Sequence, residues 1–143
     1  MTQKIPSKFL KILESLLGKD RFLTKEEDLL SYSYDSSSLR RVPDAIALPE
    51  KKEEVIEILK LSQEYKVPVI SRGAGTATTG SCLAHEGGIV IAFSKMNRIL
   101  EFNEEERIVR VEPGVLNGEL KNYLKKYGFF YPPDPSSYAF STI

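Results

Sequence analysis

One stretch constrains this chain more than any other: Val67-Pro-Val-Ile-Ser-Arg72-Gly73-Ala74-Gly75-Thr76-Ala-Thr-Thr79-Gly80. A short apolar run of strand character gives way at once to a loop of Gly, Ala, Ser and Thr. Gly73, Gly75 and Gly80 permit positive φ and let backbone N–H groups come close to a ligand. Successive N–H groups in such a loop form a concave nest suited to an anion. The hydroxyls of Thr76 and Thr79 add donors, which makes phosphate or pyrophosphate the fitting guest. The competing reading is a plain connection between two strands.

Two other phosphate loops do not fit. The dinucleotide fingerprint needs G-x-G-x-x-G opening a helix. Here the third glycine is displaced to Gly80, and a strand-like run follows. A nucleotide-triphosphate loop needs a terminal Gly-Lys-Ser/Thr, and no lysine lies between Lys66 and Lys95.

The surrounding pattern predicts an α/β (α+β) chain. Phe9, Leu10, Ile12, Leu13, Leu16 and Leu17 recur at helical spacing up to Gly18. Thr24-Lys-Glu-Glu27 has the form of a capping box for a second short helix through Leu29 and Leu30. The polar run Ser31 to Ser38 reads as a connector, with its tyrosines partly buried under a loop. Ala45 to Leu48 is a strand. Lys51 to Tyr65 is a helix with Val55, Ile58, Leu59 and Ser62 on one face, and Pro68 to Ser71 is the next strand. Together these form a βαβ unit, expected to be right-handed.

The continuously apolar Ile89 to Phe93 predicts a strand buried on both faces. Ile99 to Phe102 and Ile108 to Glu112 predict a hairpin around a solvated acidic turn, Asn103 to Glu106. Leu116, Leu120, Leu124 and Tyr127 mark a helix stopped by Gly128. Phe129, Phe130 and Tyr131 read as core and wall.

Composition narrows the function classes. The 20 Lys plus Arg equal the 20 Asp plus Glu, which argues against nucleic acid as a partner. The single Cys82 allows no intramolecular disulfide and fits a reducing compartment as a packed side chain. The N-terminus lacks the features of a secretory signal, and no apolar run approaches the roughly 18 residues of a membrane span. A cytoplasmic protein with no metal site is the simplest reading. His85, the one histidine, lies in a loop with no matched partner in sequence and is not a candidate base.

The spacing Pro68-Val-x-x-Arg72-Gly-x-Gly75-Thr76-x-x-x-Gly80 resembles the flavin loop of FAD-linked oxidases with a PCMH-type domain, the vanillyl-alcohol oxidase family. Val111-Glu-Pro113-Gly114-Val115 and Pro132-Pro133-Asp134-Pro135-Ser136-Ser137 follow in the family's order. Within that family the chain is most similar to the flavin subunits of the glycolate oxidase and D-lactate dehydrogenase group. The resemblance runs from about Tyr34 to Ile143, leaving residues 1–33 as an N-terminal helical segment and 34–143 as the N-terminal part of the FAD-binding domain.

The resemblance implies that the loop, from Gly73 through Ala74 to Gly80, wraps the FAD pyrophosphate. It implies cofactor contacts at Pro113, Gly114, Pro133, Asp134 and Ser137. Arg72 reads equally as a cation for the phosphates or as half of a structural ion pair. Some relatives place a flavin-bonding histidine where Thr76 stands, so noncovalent FAD is implied. Ser141-Thr142-Ile143 looks like the opening of a further flavin motif, so the substrate domain and any catalytic residue are expected outside these residues. The implied reaction is oxidation of a small 2-hydroxy acid, with an iron–sulfur electron-transfer subunit or a complementing C-terminal segment as partner, and attachment at a membrane only through a partner. The alternative is an inactive remnant or an assembly module.

Overall fold

A computed structural model describes residues 5–143. Helix α1 (Ser7–Leu17) is amphipathic and buries Phe9, Leu13 and Leu17, spaced four apart along one stripe. It ends at Gly18, whose φ of 79° ends the helical path and whose N–H donates to the Glu14 carbonyl at 2.8 Å. Strand β1 (Phe22–Leu23) follows, then α2 (Glu26–Ser31), β2 (Ala45–Ala47), α3 (Lys52–Tyr65), β3 (Val69–Arg72) and β4 (Ile89–Ala92). Strands β5 (Ile99–Asn103) and β6 (Ile108–Val111) and helix α4 (Asn117–Lys125) complete the order.

The first sheet runs β1-β2-β4-β3, with β4 parallel to both β2 and β3 and β1 antiparallel at one edge. The expected strand–helix–strand unit is present, but its two strands are not neighbours. The wholly apolar β4 lies between them, where both its edges and both its faces are covered. Ile89 and Ile91 face a core shared with Phe9, Leu13 and Ile58, and Val90 and Ala92 face Ile46, Leu48, Leu29 and Tyr32. β1 has no counterpart in the sequence reading, because two residues carry no periodicity.

Two local expectations are corrected. The capping box at Thr24 does not form: Lys25 is the N-cap, and no side chain caps α2. On α3 the inner face is Ile58 and Ser62, flanked by Leu61 and Tyr65, while Leu59 is 48% exposed. One residue is a turn of about 100°, enough to carry Leu59 off the buried stripe.

The hairpin β5–β6 forms as expected, with a register irregularity between Ile99 and Glu101. Its inner face (Ile99, Phe102, Val109 and Val111) packs with Val115, Leu120 and Leu124 of the α4 region, and Glu104 to Glu106 are exposed. Phe129 and Tyr131 join this cluster, but Phe130 is 80% exposed. In an extended segment neighbouring side chains point to opposite sides, so the trio divides.

Candidate functional site: the loop after β3

The loop from Gly73 to Gly80 leaves the C-terminal end of β3, beside the end of β4. Gly75 and Gly80 take φ of 75° and 76°, a region open to glycine and costly for most other residues. The flanking amides are occupied: Ala74 N–H donates to Thr142 Oγ1 at 3.3 Å, and Gly80 N–H to Asp35 Oδ2 at 3.0 Å. Between them, among the described residues, the N–H groups of Gly75, Thr76, Ala77, Thr78 and Thr79 meet no protein acceptor. A run of unpaired amide donors on a partly exposed loop is a nest for an anion.

Arg72 is 7% exposed and makes no ion pair within the described residues, so the structural ion-pair reading does not hold. Its guanidinium lies directly beneath Gly75, 5.5 Å from the Tyr32 ring centroid, with Nη1 3.4 Å from Cys82 Sγ. Stacking on Tyr32 and packing under the loop hold a positive charge behind the free amides. Cys82 is buried, and burial pushes its thiol pKa up, with Asp35 reinforcing and Arg72 opposing that shift. It is therefore a neutral packed thiol rather than a nucleophile.

The connector Ser33 to Arg41 has more work than its sequence suggests. Asp35 is 8% exposed and accepts from the Ser37 N–H and hydroxyl on one oxygen and from Gly80 on the other. Ser36 N–H donates to the Ala77 carbonyl at 2.9 Å. His85 Nε2 lies 2.9 Å from the Gly80 carbonyl, so the one histidine fastens the end of the loop. Sequence patterning alone does not single out Asp35. The available signal is Asp35-Ser-Ser37, a run whose side chains favour local turns.

The other expected site residues divide. Gly73, Ala74, Gly114 and Thr142 come together around one hollow of about 220 Å³, with Ser94, Asn97, Leu116 and Glu119. Thr142 is placed there by backbone pairing of Ile143 N–H to the Val115 carbonyl and Asn117 N–H to the Ser141 carbonyl. Gly114 is buried, and its N–H donates to the Met96 carbonyl at 2.7 Å, leaving no room for a side chain against that turn. Pro113 is exposed beside it. Thr76, Thr79 and Gly80 lie on the loop beyond this hollow. Pro133, Asp134 and Ser137 do not line it either: Asp134 pairs with Lys121 of α4, and the Ser137 carbonyl accepts from Phe140 and Ser141 N–H. Larger hollows, of about 410 Å³ beside Thr24 and 550 Å³ beside Phe130, do not touch the loop.

The chain is 39% identical over 127 residues to the glycolate oxidase subunit GlcD of Bacillus subtilis, covering 88% of this chain and 27% of that protein. It is 35% identical to a mitochondrial D-lactate dehydrogenase (cytochrome) of Arabidopsis thaliana, over 93% of this chain and 24% of that one. The chain thus spans about a quarter of the length of the curated relatives it matches. An alkyldihydroxyacetonephosphate synthase structure superimposes with a TM-score of 0.87 at 25% identity, over 99% of this chain and 31% of its own. The sequence pattern of the FAD binding domain matches residues 43–143, and the chain belongs to that family.

Proposed function

We propose that the loop Gly73–Gly80 holds the diphosphate of a noncovalently bound FAD, and that the protein serves the oxidation of a small 2-hydroxy acid. The observation that carries the first part is the run of unpaired N–H groups from Gly75 to Thr79 above the buried Arg72. Two phosphate charges meet backbone donors, the Thr76 and Thr79 hydroxyls and a cation behind the loop, with no lysine needed. The hollow beside Gly73, Ala74, Gly114 and Thr142 continues this surface and gives the rest of the cofactor a place to lie. Pro133, Asp134 and Ser137 are assigned to a more distant cofactor contact, on the family resemblance.

When bound, FAD supplies a hydride acceptor at N5, while the protein supplies binding and orientation. The 2-hydroxy-acid assignment rests on the names of the two relatives, one a glycolate oxidase subunit and the other a D-lactate dehydrogenase. The first relative is a subunit of an assembly, which supports a partner chain for this protein, and an iron–sulfur electron-transfer subunit is the proposed class. No helix among the described residues is long and apolar enough to cross a membrane. A cytoplasmic setting, with any membrane contact made through a partner, completes the reading.

The test is anaerobic reduction of the flavin in the full-length protein. Glycolate or D-lactate should bleach its absorbance near the visible maximum, whereas the L-lactate control should not. A flavoprotein that holds FAD yet is bleached by neither acid would overturn the substrate assignment and leave the cofactor site standing.

A further inference from the structure

We propose that Asp35 is a positioning residue that shapes the phosphate cradle before the cofactor arrives; this rests on the reading that Gly73–Gly80 holds the FAD diphosphate. A carboxylate this buried is unfavourable unless its oxygens are satisfied. Both are, and the donors come from two distant parts of the chain. Oδ1 takes the Ser37 N–H at 2.8 Å and the Ser37 hydroxyl at 2.5 Å. Oδ2 takes the Gly80 N–H at 3.0 Å, with Cys82 Sγ at 3.8 Å. Ser36 N–H, one residue on, holds the Ala77 carbonyl. The connector therefore grips the loop in its middle and at its end.

Two consequences follow for an anionic ligand. A loop of Gly, Ala and Thr has many conformations, and ordering it during folding removes that cost from binding. The Asp35 contact also withdraws the Gly80 N–H from the donors open to phosphate and places negative charge at that end. Arg72 sits at the other end, beneath Gly75. The free amides from Gly75 to Thr79 thus lie in a field that favours the diphosphate at the Gly75 side.

The experiment compares the full-length protein with Asp35→Ala and Asp35→Asn. Hydrogen exchange of the ligand-free protein is followed in the peptides spanning 73–81 and 89–93, and FAD affinity is measured by fluorescence titration. In Asp35→Ala the loop peptide should exchange faster through its Gly80 amide, which loses its acceptor, while the β4 peptide stays protected, and FAD should bind at least ~10-fold more weakly. Asp35→Asn keeps one carbonyl acceptor and should recover part of both effects; it also serves if the alanine variant does not fold. Unchanged loop exchange in both variants overturns the brace, whatever FAD does. A loosened loop with unchanged FAD affinity overturns its role in binding, as does a loss of protection shared equally by β4. If the wild type takes up no FAD, the cradle reading fails, while the exchange data still decide whether Asp35 orders the loop.

Discussion

A β-carbon added to Gly75 would stand 2.6 Å from Cζ of Arg72, so a side chain there must push either the loop or the buried guanidinium out of place. The φ of 75° at the same residue makes any substitution doubly strained. Strand β3 ends in the arginine, the loop folds back over it, and the free amides follow directly. Gly75→Val should therefore displace the loop and lower FAD affinity by at least ~10-fold, a change of about 1.4 kcal/mol in binding. Fluorescence titration measures the affinity, and circular dichroism checks that the variant is folded. A folded Gly75→Val protein with stoichiometric FAD would remove the cradle from this loop.

Acid should weaken the same site through Asp35. The Ser37 hydroxyl, then the backbone N–H groups of Ser37 and Gly80 and the Cys82 thiol, hold its pKa below the ordinary 3.8, against the opposing effect of burial. A depressed carboxylate contributes stability that is complete above its unfolded pKa and is lost as pH falls through the folded one. The charged and titratable groups around it are Arg72, reached through Cys82, and His85, reached through the Gly80 carbonyl. FAD retention should thus hold from neutral pH down to about pH 4 and fall below it. Glu54 and Glu112 are depressed as well and weaken the fold in the same window. The assay is therefore the difference between wild type and Asp35→Asn, and parallel acid curves for the two would contradict the assignment.

Much of this architecture is legible in the residues. Ile89 to Ala92 announces a strand covered on both faces, and the amphipathic stripe of α1 announces its burial. The loop after β3 stands out through its glycines. What is not legible is what comes together across the chain. Asp35 lies 45 residues before Gly80, and nothing in a polar run marks one serine-flanked aspartate as the partner of a distant amide. Arg72 is similar: its sequence neighbours suggest a ligand cation or an ion pair, and nothing in them marks Tyr32 as the ring it stacks on. Local periodicity also misjudges side chains near the edge of a buried stripe, as with Leu59 and Phe130.

The second sheet offers a contrast between two ion pairs. Glu112 is 6% exposed and takes the Arg98 backbone N–H at 2.8 Å as well as the Arg98 side chain, while its own N–H donates to the Arg98 carbonyl. The Arg110–Glu101 pair on the neighbouring strands is exposed on both sides. Exposed pairs contribute little because water screens them and long side chains lose freedom. Glu101→Ala should change stability by no more than about 0.5 kcal/mol. Glu112→Ala should lower the melting temperature several times further, since it leaves the Arg98 N–H without its acceptor. Equal thermal shifts for the two variants would show that burial of Glu112 contributes nothing.

On the proposed site, Thr76 bears on how the cofactor is held. A covalent flavin link needs a nucleophilic ring nitrogen, phenol or thiol near the ring system, and the threonine hydroxyl is a poor nucleophile at its ordinary pKa. The nearest thiol, Cys82, is buried under the loop, with its pKa raised by that burial. His85 meets the Gly80 carbonyl through Nε2. The flavin should therefore leave the polypeptide when the protein is denatured in acid, and it should run with the solvent front on a denaturing gel. Replacing Thr76 by valine keeps the side-chain shape and removes one hydroxyl donor, so FAD affinity should fall by roughly 3- to 10-fold, about the loss of one hydrogen bond. Retention of yellow fluorescence on the denatured wild-type chain would contradict noncovalent binding. An unchanged affinity in Thr76→Val would leave the backbone amides, rather than this hydroxyl, as the donors that hold the diphosphate.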